Sequence, residues 1–179
     1  MNIFFLSMSI IRNARAHFDK HVIKMILEYC QLLSTSYWIL DQAQAEQHYN
    51  EGHIYKKTHI NHPCSLWVRN HANNYDYLVK LALALCDEWR YRYNHTKIHG
   101  CEPKLIFLYH NRPSLPNHMI IKTRSNPKCL QLPLPQAMPI DCKKRGNVHA
   151  CVRAYRCYYK SSYKTHLVNW KNRDKPLWW

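Results

Sequence analysis

Glycine, acidic residues and long apolar runs are all scarce in this chain. The 3 glycines stand where helical periodicity lapses, and no Gly-rich phosphate loop or serine-hydrolase elbow is present. Only 11 acidic residues oppose 26 Lys and Arg, so the formal net charge is +15 and the favoured partner is a polyanion such as nucleic acid. No apolar run can span a bilayer. We therefore expect no nucleotide cofactor and no membrane partner.

The cysteines and the first eleven residues both argue against secretion. The eight cysteines form no CxxC pair, which is typical of reduced thiols and not of a disulfide framework or a zinc signature. The segment from Met1 to Ile11 lacks the basic region and the cleavage site of a signal peptide, so we interpret it as a buried strand or extended segment. An intracellular protein is expected.

Helical patterns dominate the first half of the chain. The first helix is predicted from about Asn13 to Leu40, followed by a polar loop rich in Gln, His and Asn through His62. A second helix is predicted from the turn at Pro63 to Tyr93, with a possible break near residues 73–74 and Asn94 as its C-cap. These lengths favour a mainly α protein.

The second half is less regular. Residues 104–109 fit a helix or a strand equally well, whereas residues 113–139 contain six prolines and are interpreted as a wrapping loop or an arm. Helical character returns from Val148 to Trp170. The predicted fold is a single helical domain over residues 1–179, with a short N-terminal extended segment and the Pro-rich loop.

A row of polar side chains on the first helix is the strongest functional signal. Its members recur at steps of four and three residues, which places them on one side of an α-helix: His17, His21, Lys24, Glu28 and Gln31. The rest of this helix is apolar, so a carboxylate among these bases is expected to line a cleft.

Two segments carry a resemblance to known proteins. One is the helix with Glu28 behind the short apolar N-terminus; the other is the Asn61-His62-Pro63 turn with the helix that follows it. With the aromatic and basic C-terminus, they resemble a group of uncharacterised phage and large-DNA-virus proteins and, more distantly, the pyrimidine-dimer DNA glycosylases of the endonuclease V type. That family is all-α, and its nucleophile is the N-terminal α-amine, assisted by a helix glutamate.

The resemblance implies roles for individual residues. Glu28 would be the essential carboxylate and His21 a neighbour in the site, with His17 beside it. The nucleophile would be the α-amine of Met1, which the size of Asn2 predicts to be retained. Lys24 would be an alternative nucleophile if burial lowers its pKa. A third option has no covalent step, with Glu28 activating water.

Three functions stay open from the sequence. The first is a DNA glycosylase, with or without AP-lyase activity, that removes a damaged or modified base from duplex DNA. The second is a non-catalytic viral accessory protein that binds nucleic acid. The third is a metal-dependent hydrolase, because the HxxxH spacing of His17 and His21 fits two ligands of one metal. The charge of Lys24 opposes a cation there, so no metal is predicted.

Cations alternate with aromatic rings in two further segments and at one helix start. Cations neutralise phosphates, and exposed rings stack on unpaired bases. The residues predicted to contact nucleic acid are His62, Arg90, Arg92, Arg153, Arg156, Lys160, Lys164, Lys171 and Arg173.

Overall fold

The computed structural model describes residues 1–115, 130 and 133–179, and its regular structure there is entirely helical. This confirms the predicted mainly α fold. The helices are α1 (Ile10–Ala16), α2 (Asp19–Leu40), α3 (Gln42–Asn50), α4 (Pro63–Asn70), α5 (Ala72–Tyr93), α6 (Glu102–His110) and α7 (Val148–Lys160).

The two 22-residue helices α2 and α5 form the centre of the bundle. They pack against each other, α3, α4 and α6 pack on α2, and α1, α4 and α6 pack on α5. Their apolar faces are fully buried, as Ile26 and Tyr29 show on α2 and Leu78 and Leu85 on α5. Burial of this apolar surface is the main force that holds the bundle together.

The first predicted helix is interrupted. The backbone is extended at His17 and Phe18, which separates α1 from α2. The cause is tertiary, because the buried guanidinium of Arg92 donates to the backbone oxygens of both Arg15 and His17. His17 therefore ends α1 and does not lie on the same helix as Glu28, which corrects the predicted polar row.

The second predicted helix is interrupted as well, at His71 and not at residues 73–74. The extended His71 ends α4, and its imidazole accepts a hydrogen bond from the backbone N–H of Asn73 at the start of α5. Pro63 occupies the first turn of α4, as predicted. Asn94 is a left-handed C-cap with φ 50°, which confirms its predicted role.

The structure also changes two predicted element boundaries and decides one segment that the sequence left ambiguous. The predicted polar loop contains helix α3, which Asp41 caps and which buries Ala45. The ambiguous residues 104–109 lie in α6. Helical structure after Val148 ends at Lys160, and only a short 3-10 turn follows at Thr165–Leu167.

The N-terminal segment is extended and buried, but it is not a strand. Its alternate N–H groups donate to side chains: Phe4 to the Tyr29 hydroxyl at 3.2 Å and Leu6 to the Asn13 side-chain oxygen at 2.9 Å. These bonds replace the ladder that a sheet would supply. The segment passes between α2 and α7, because the Tyr155 hydroxyl of α7 donates to the Asn2 side chain at 2.6 Å.

The predicted Pro-rich loop is only partly covered by the structure. Residues 116–129 and 131–132, which include Cys129, lie outside the described residues. Within the parts of the chain that are described, no helix is both long and apolar enough to cross a membrane.

Candidate active site

The carboxylate of Glu28 lies beside the first residue of the chain. One of its oxygens is 3.9 Å from the α-amine of Met1 and accepts the backbone N–H of Asn2 at 3.3 Å. The Glu28 side chain is 13% exposed, so it is partly shielded from solvent and still accessible. The structure therefore brings together the two groups that the sequence nominated as carboxylate and nucleophile.

Lys24 lies one turn before Glu28 but points into solvent. Its ammonium is 3.5 Å from the second Glu28 oxygen, and its side chain is 69% exposed. The alternative in which Lys24 acts as nucleophile required burial, and that condition is not met. Its contact with Glu28 is an exposed i,i+4 pair, a type worth about 0.3–0.5 kcal/mol.

His17 is a buried support for the N-terminal segment. Its Nδ1 is 2.8 Å from the Asn13 carbonyl, which can only accept, so Nδ1 carries the proton. Burial lowers the pKa of His17 to about 4, so the ring is neutral at pH 7. Its free Nε2 then accepts from the Tyr29 hydroxyl at 3.4 Å, and Tyr29 in turn accepts the Phe4 N–H. His17 thus positions the backbone three residues from the α-amine.

His21 is buried and neutral too. Burial, followed by the nearby charge of Lys164, lowers its pKa to about 2. Its Nδ1 is 2.7 Å from the Tyr159 hydroxyl, and its Nε2 is 3.5 Å from the Lys164 ammonium, which can only donate. Its ring stacks on Phe4 with centroids 4.6 Å apart. His21 is therefore a wall of the site and not a proton carrier near neutral pH.

Two further basic residues belong to this neighbourhood. Lys164 lies over the rings of Phe4 and Tyr158, and its pKa is lowered by burial and by the charge of Lys24, while Glu28 acts in the opposite direction. The pKa of His62 is lowered by burial and by the α-ammonium group. The charges of the Met1–Glu28 pair therefore contribute to the pKa values of both groups.

His62, which the sequence predicts as a phosphate contact, caps a helix in the structure. Its Nδ1 accepts the backbone N–H of Cys64 at 3.1 Å, so the imidazole itself caps helix α4.

Within the described residues, no group of three or more His, Cys, Asp or Glu side chains can hold a metal ion. The metal-dependent alternative therefore has no ligand set in that part of the chain.

Arg92 is not available to nucleic acid. It is completely buried, and its guanidinium binds Glu88 at 2.8 Å and Asp19 at 2.9 Å. Arg173 also binds Glu88 at 2.8 Å, and the backbone N–H of Lys171 donates to Asp19. This ionic cluster fixes the C-terminal tail to the start of α2 and the end of α5. The prediction that Arg92 contacts phosphate is wrong, because a buried and paired guanidinium cannot reach a ligand.

The other predicted phosphate contacts are either engaged by groups within the protein or exposed on its surface. Arg90 is bound to Asp87 and Glu102, Lys171 lies over the Tyr93 ring, and Arg156 donates to the Leu6 carbonyl at 2.9 Å. Arg153 and Lys160 are exposed on α7.

The sequence did not reveal the aromatic and polar residues that complete the site. Phe4, Tyr29 and Tyr159 connect the histidines to the N-terminal segment, and Asn2 is held between Glu28 and Tyr155. Lys164 was expected at phosphates, not beside His21. These contacts join residues up to 153 positions apart in the sequence. A local sequence pattern cannot predict contacts between such distant residues.

Comparison with known proteins identifies the family of this chain. The family model described as pyrimidine dimer DNA glycosylase matches residues 1–99. This range includes Met1, His17, His21 and Glu28. Comparisons with curated proteins and with solved structures give no match. Because the family model covers more than half of the 179 residues, the chain belongs to the pyrimidine dimer DNA glycosylase family.

Proposed function

We propose that this protein is a DNA glycosylase with AP-lyase activity that removes a damaged base from duplex DNA inside the cell. The observation that carries the proposal is the 3.9 Å approach of the Met1 α-amine to the partly shielded Glu28 carboxylate, in a chain of this family. The neutral form of an α-amine is a nucleophile, and an amine that attacks a sugar carbon can form a covalent imine intermediate.

The proposed reaction begins at the sugar. The lone pair of the Met1 nitrogen forms a bond to C1′ while the C1′–base bond breaks. The base leaves with the electron pair of the broken bond and takes up a proton, and the nitrogen loses one. Glu28 stabilises the positive charge that develops on the sugar. Glu28 then moves protons as the sugar ring opens to an imine. Elimination of the 3′ phosphate from this imine would give the lyase product.

Borohydride trapping tests the proposal directly. The protein is incubated with borohydride and two 25-base-pair duplexes, one with a single abasic site and one with a single cyclobutane pyrimidine dimer. We expect a covalent adduct that mass spectrometry maps to residue 1, and cleavage of a glycosidic bond at the pyrimidine dimer. Binding without any adduct or glycosidic-bond cleavage would overturn the proposal and favour a non-catalytic nucleic-acid-binding protein.

A control protein separates the α-amine from the rest of the site. A Gly-Ser extension before Met1 keeps every side chain but moves the amine away from Glu28. We expect the extended protein to lose the adduct. If trapping persists at full yield, the α-amine of Met1 is not the nucleophile. Mass spectrometry of the unmodified protein shows whether Met1 is retained.

A further inference from the structure

A cation-lined cavity of about 720 Å³ lies away from the Met1–Glu28 pair, between α1, α7 and the C-terminal tail. Helix α1 contributes Arg12 and Arg15, α7 contributes Arg156, and the tail contributes Arg173 and Lys175. The tail lies outside residues 1–99, the part of the chain that the family model matches.

The charge in this cavity is largely uncompensated. Among the described residues that line the cavity, Asp174 is the one acidic side chain, and the charge of Arg173 is already balanced by Glu88. Arg12 and Arg15 are exposed, and neither guanidinium forms an ion pair with a described residue. A concave surface lined by one sign of charge concentrates its electric field and attracts counter-ions of the opposite sign.

The inner wall of the cavity is held in place. The Nε of Arg156 donates to the Leu6 carbonyl at 2.9 Å, and its guanidinium carbon lies 5.1 Å from the centre of the Trp178 ring. The Arg156 side chain is half-buried, and this burial lowers the pKa of its guanidinium. An ordered, partly desolvated guanidinium is well suited to bind a phosphate oxygen.

The cavity lies within reach of a strand bound at Glu28. The N-terminal segment contacts Glu28 at Asn2 and Arg156 at Leu6, and four residues of extended chain span at most about 14 Å. Since a DNA strand advances about 3.4 Å per nucleotide, this distance corresponds to about four nucleotides.

We propose that this cavity binds a backbone phosphate of the DNA within about four nucleotides of the reacting sugar, through Arg12, Arg15 and Arg156. The inference rests on the proposed glycosylase function and adds a second anchor that the C-terminal tail completes. It assigns a ligand class, the phosphodiester, to residues outside the Met1–Glu28 site.

The test compares two double variants that each remove two positive charges. Arg12→Gln with Arg15→Gln changes the cavity, whereas Lys56→Gln with Lys57→Gln changes exposed lysines beside Trp38 and Tyr49, near the other end of α2. Binding to an undamaged 25-base-pair duplex is measured between 50 and 200 mM salt. Each lost phosphate contact should lower the slope of log affinity against log salt by about 0.9.

For two lost contacts, the affinity of the unmodified protein should fall about tenfold more over this salt range than that of the arginine variant. The lysine variant should keep the slope of the unmodified protein. Equal changes in both variants would overturn the proposal, because net charge alone would then explain the affinity. An unchanged slope in the arginine variant would overturn it as well.

A second arm distinguishes the DNA backbone from a free anion. Titration with inorganic phosphate should show no binding at concentrations where the duplex is saturated. If the arginine variant loses affinity for inorganic phosphate but keeps its affinity for DNA, the cavity takes a free anion and the proposal fails. Trapping on abasic DNA tests the proposed function separately, since an adduct can form whether or not the two arginines contribute to affinity.

Discussion

Glu28 differs from the other helix carboxylates because its partners lie in the N-terminal segment. It accepts the Asn2 N–H and approaches the Met1 amine, while its neighbour Lys24 is mostly solvated. His17 and His21, which the resemblance places beside Glu28, are neutral supports, because burial lowers the pKa values of both rings. At the residue scale, the proposed chemistry therefore rests on one amine and one carboxylate.

Replacing Glu28 by Gln should reduce activity without unfolding the protein. The amide can still accept the Asn2 N–H, but it cannot offset positive charge on the sugar or move a proton. We expect the rate of base release to fall about 10²- to 10⁴-fold, with the free energy of unfolding changed by less than about 1 kcal/mol. Single-turnover kinetics measure the rate, and Glu46→Gln on exposed α3 is the matched control. An unchanged rate would exclude Glu28 from the reaction.

The buried histidines predict a loss of stability in mild acid. His17 and His21 have folded-state pKa values of about 4 and about 2, against an ordinary 6.5 in the unfolded chain. The unfolded state therefore binds more protons below pH 6.5. Their stabilising contribution is complete above pH 6.5 and is lost as the pH falls toward 4, by up to about 1.4 kcal/mol per pH unit for each ring.

Urea unfolding at several pH values between 7 and 4.5 measures this dependence. In His17→Gln the glutamine does not titrate, so the slope of unfolding free energy against pH should be smaller by the contribution of one ring. His149→Gln, on an exposed position, should keep the full slope. If the slope is the same in all three proteins, the buried rings do not determine the acid sensitivity.

At the scale of elements, the junction between α1 and α2 determines the architecture of the site. The guanidinium of Arg92 reaches from α5 to the carbonyls of Arg15 and His17 and to the carboxylate of Asp19. The tail is fastened at the same place, because Trp170 donates to the Ala16 carbonyl at 3.2 Å. The break turns His17 inward, where its ring supports the N-terminal segment.

Arg92→Met should strongly destabilise the protein. The substitution leaves the carboxylates of Asp19 and Glu88 buried with fewer partners, and breaking such a pair typically costs about 3–5 kcal/mol. Chemical denaturation measures the loss. Arg153→Met on the exposed side of α7 removes the same charge and should change the unfolding free energy by less than about 0.5 kcal/mol. Equal stability of the two variants would show that the ionic cluster contributes little.

Local signals in the sequence were sufficient for some boundaries and not for others. Pro63 and Asn94 mark a helix start and a helix end, because their own backbone preferences suit those positions. The break at His17 has no glycine or proline to mark it, since a distant arginine causes it. Glu28 was recognisable as a carboxylate on an apolar helix, whereas the placement of Lys164 beside His21 depends on the path of the tail.

For the whole molecule, the region that the family model matches is not a self-contained structural unit. Residues 1–99 carry Met1 and Glu28, yet later residues bury the N-terminal segment. Tyr159 stacks on Phe18 with centroids 4.3 Å apart, and Trp170 packs against the same ring. The site therefore depends on both ends of the chain.

A fragment of residues 1–112 should fail to form the native structure. Without α7 and the tail, Phe4, Phe18 and His21 lose the aromatic rings that cover them. We expect near-ultraviolet circular dichroism without a native signal and no cooperative melting, in contrast to the full chain. A fragment that melts cooperatively and still forms the borohydride adduct would show that the C-terminal part is dispensable.

The bond between Asn2 and Tyr155 also bears on the order in which the protein is made. Asn2 is translated 153 positions before Tyr155, its hydrogen-bond partner on α7. A chain that ends before α7 therefore carries Met1 and Asn2 without the helix that holds the N-terminal segment in place. We therefore expect the proposed reaction to become possible only after α7 has been translated and has packed on the N-terminal segment.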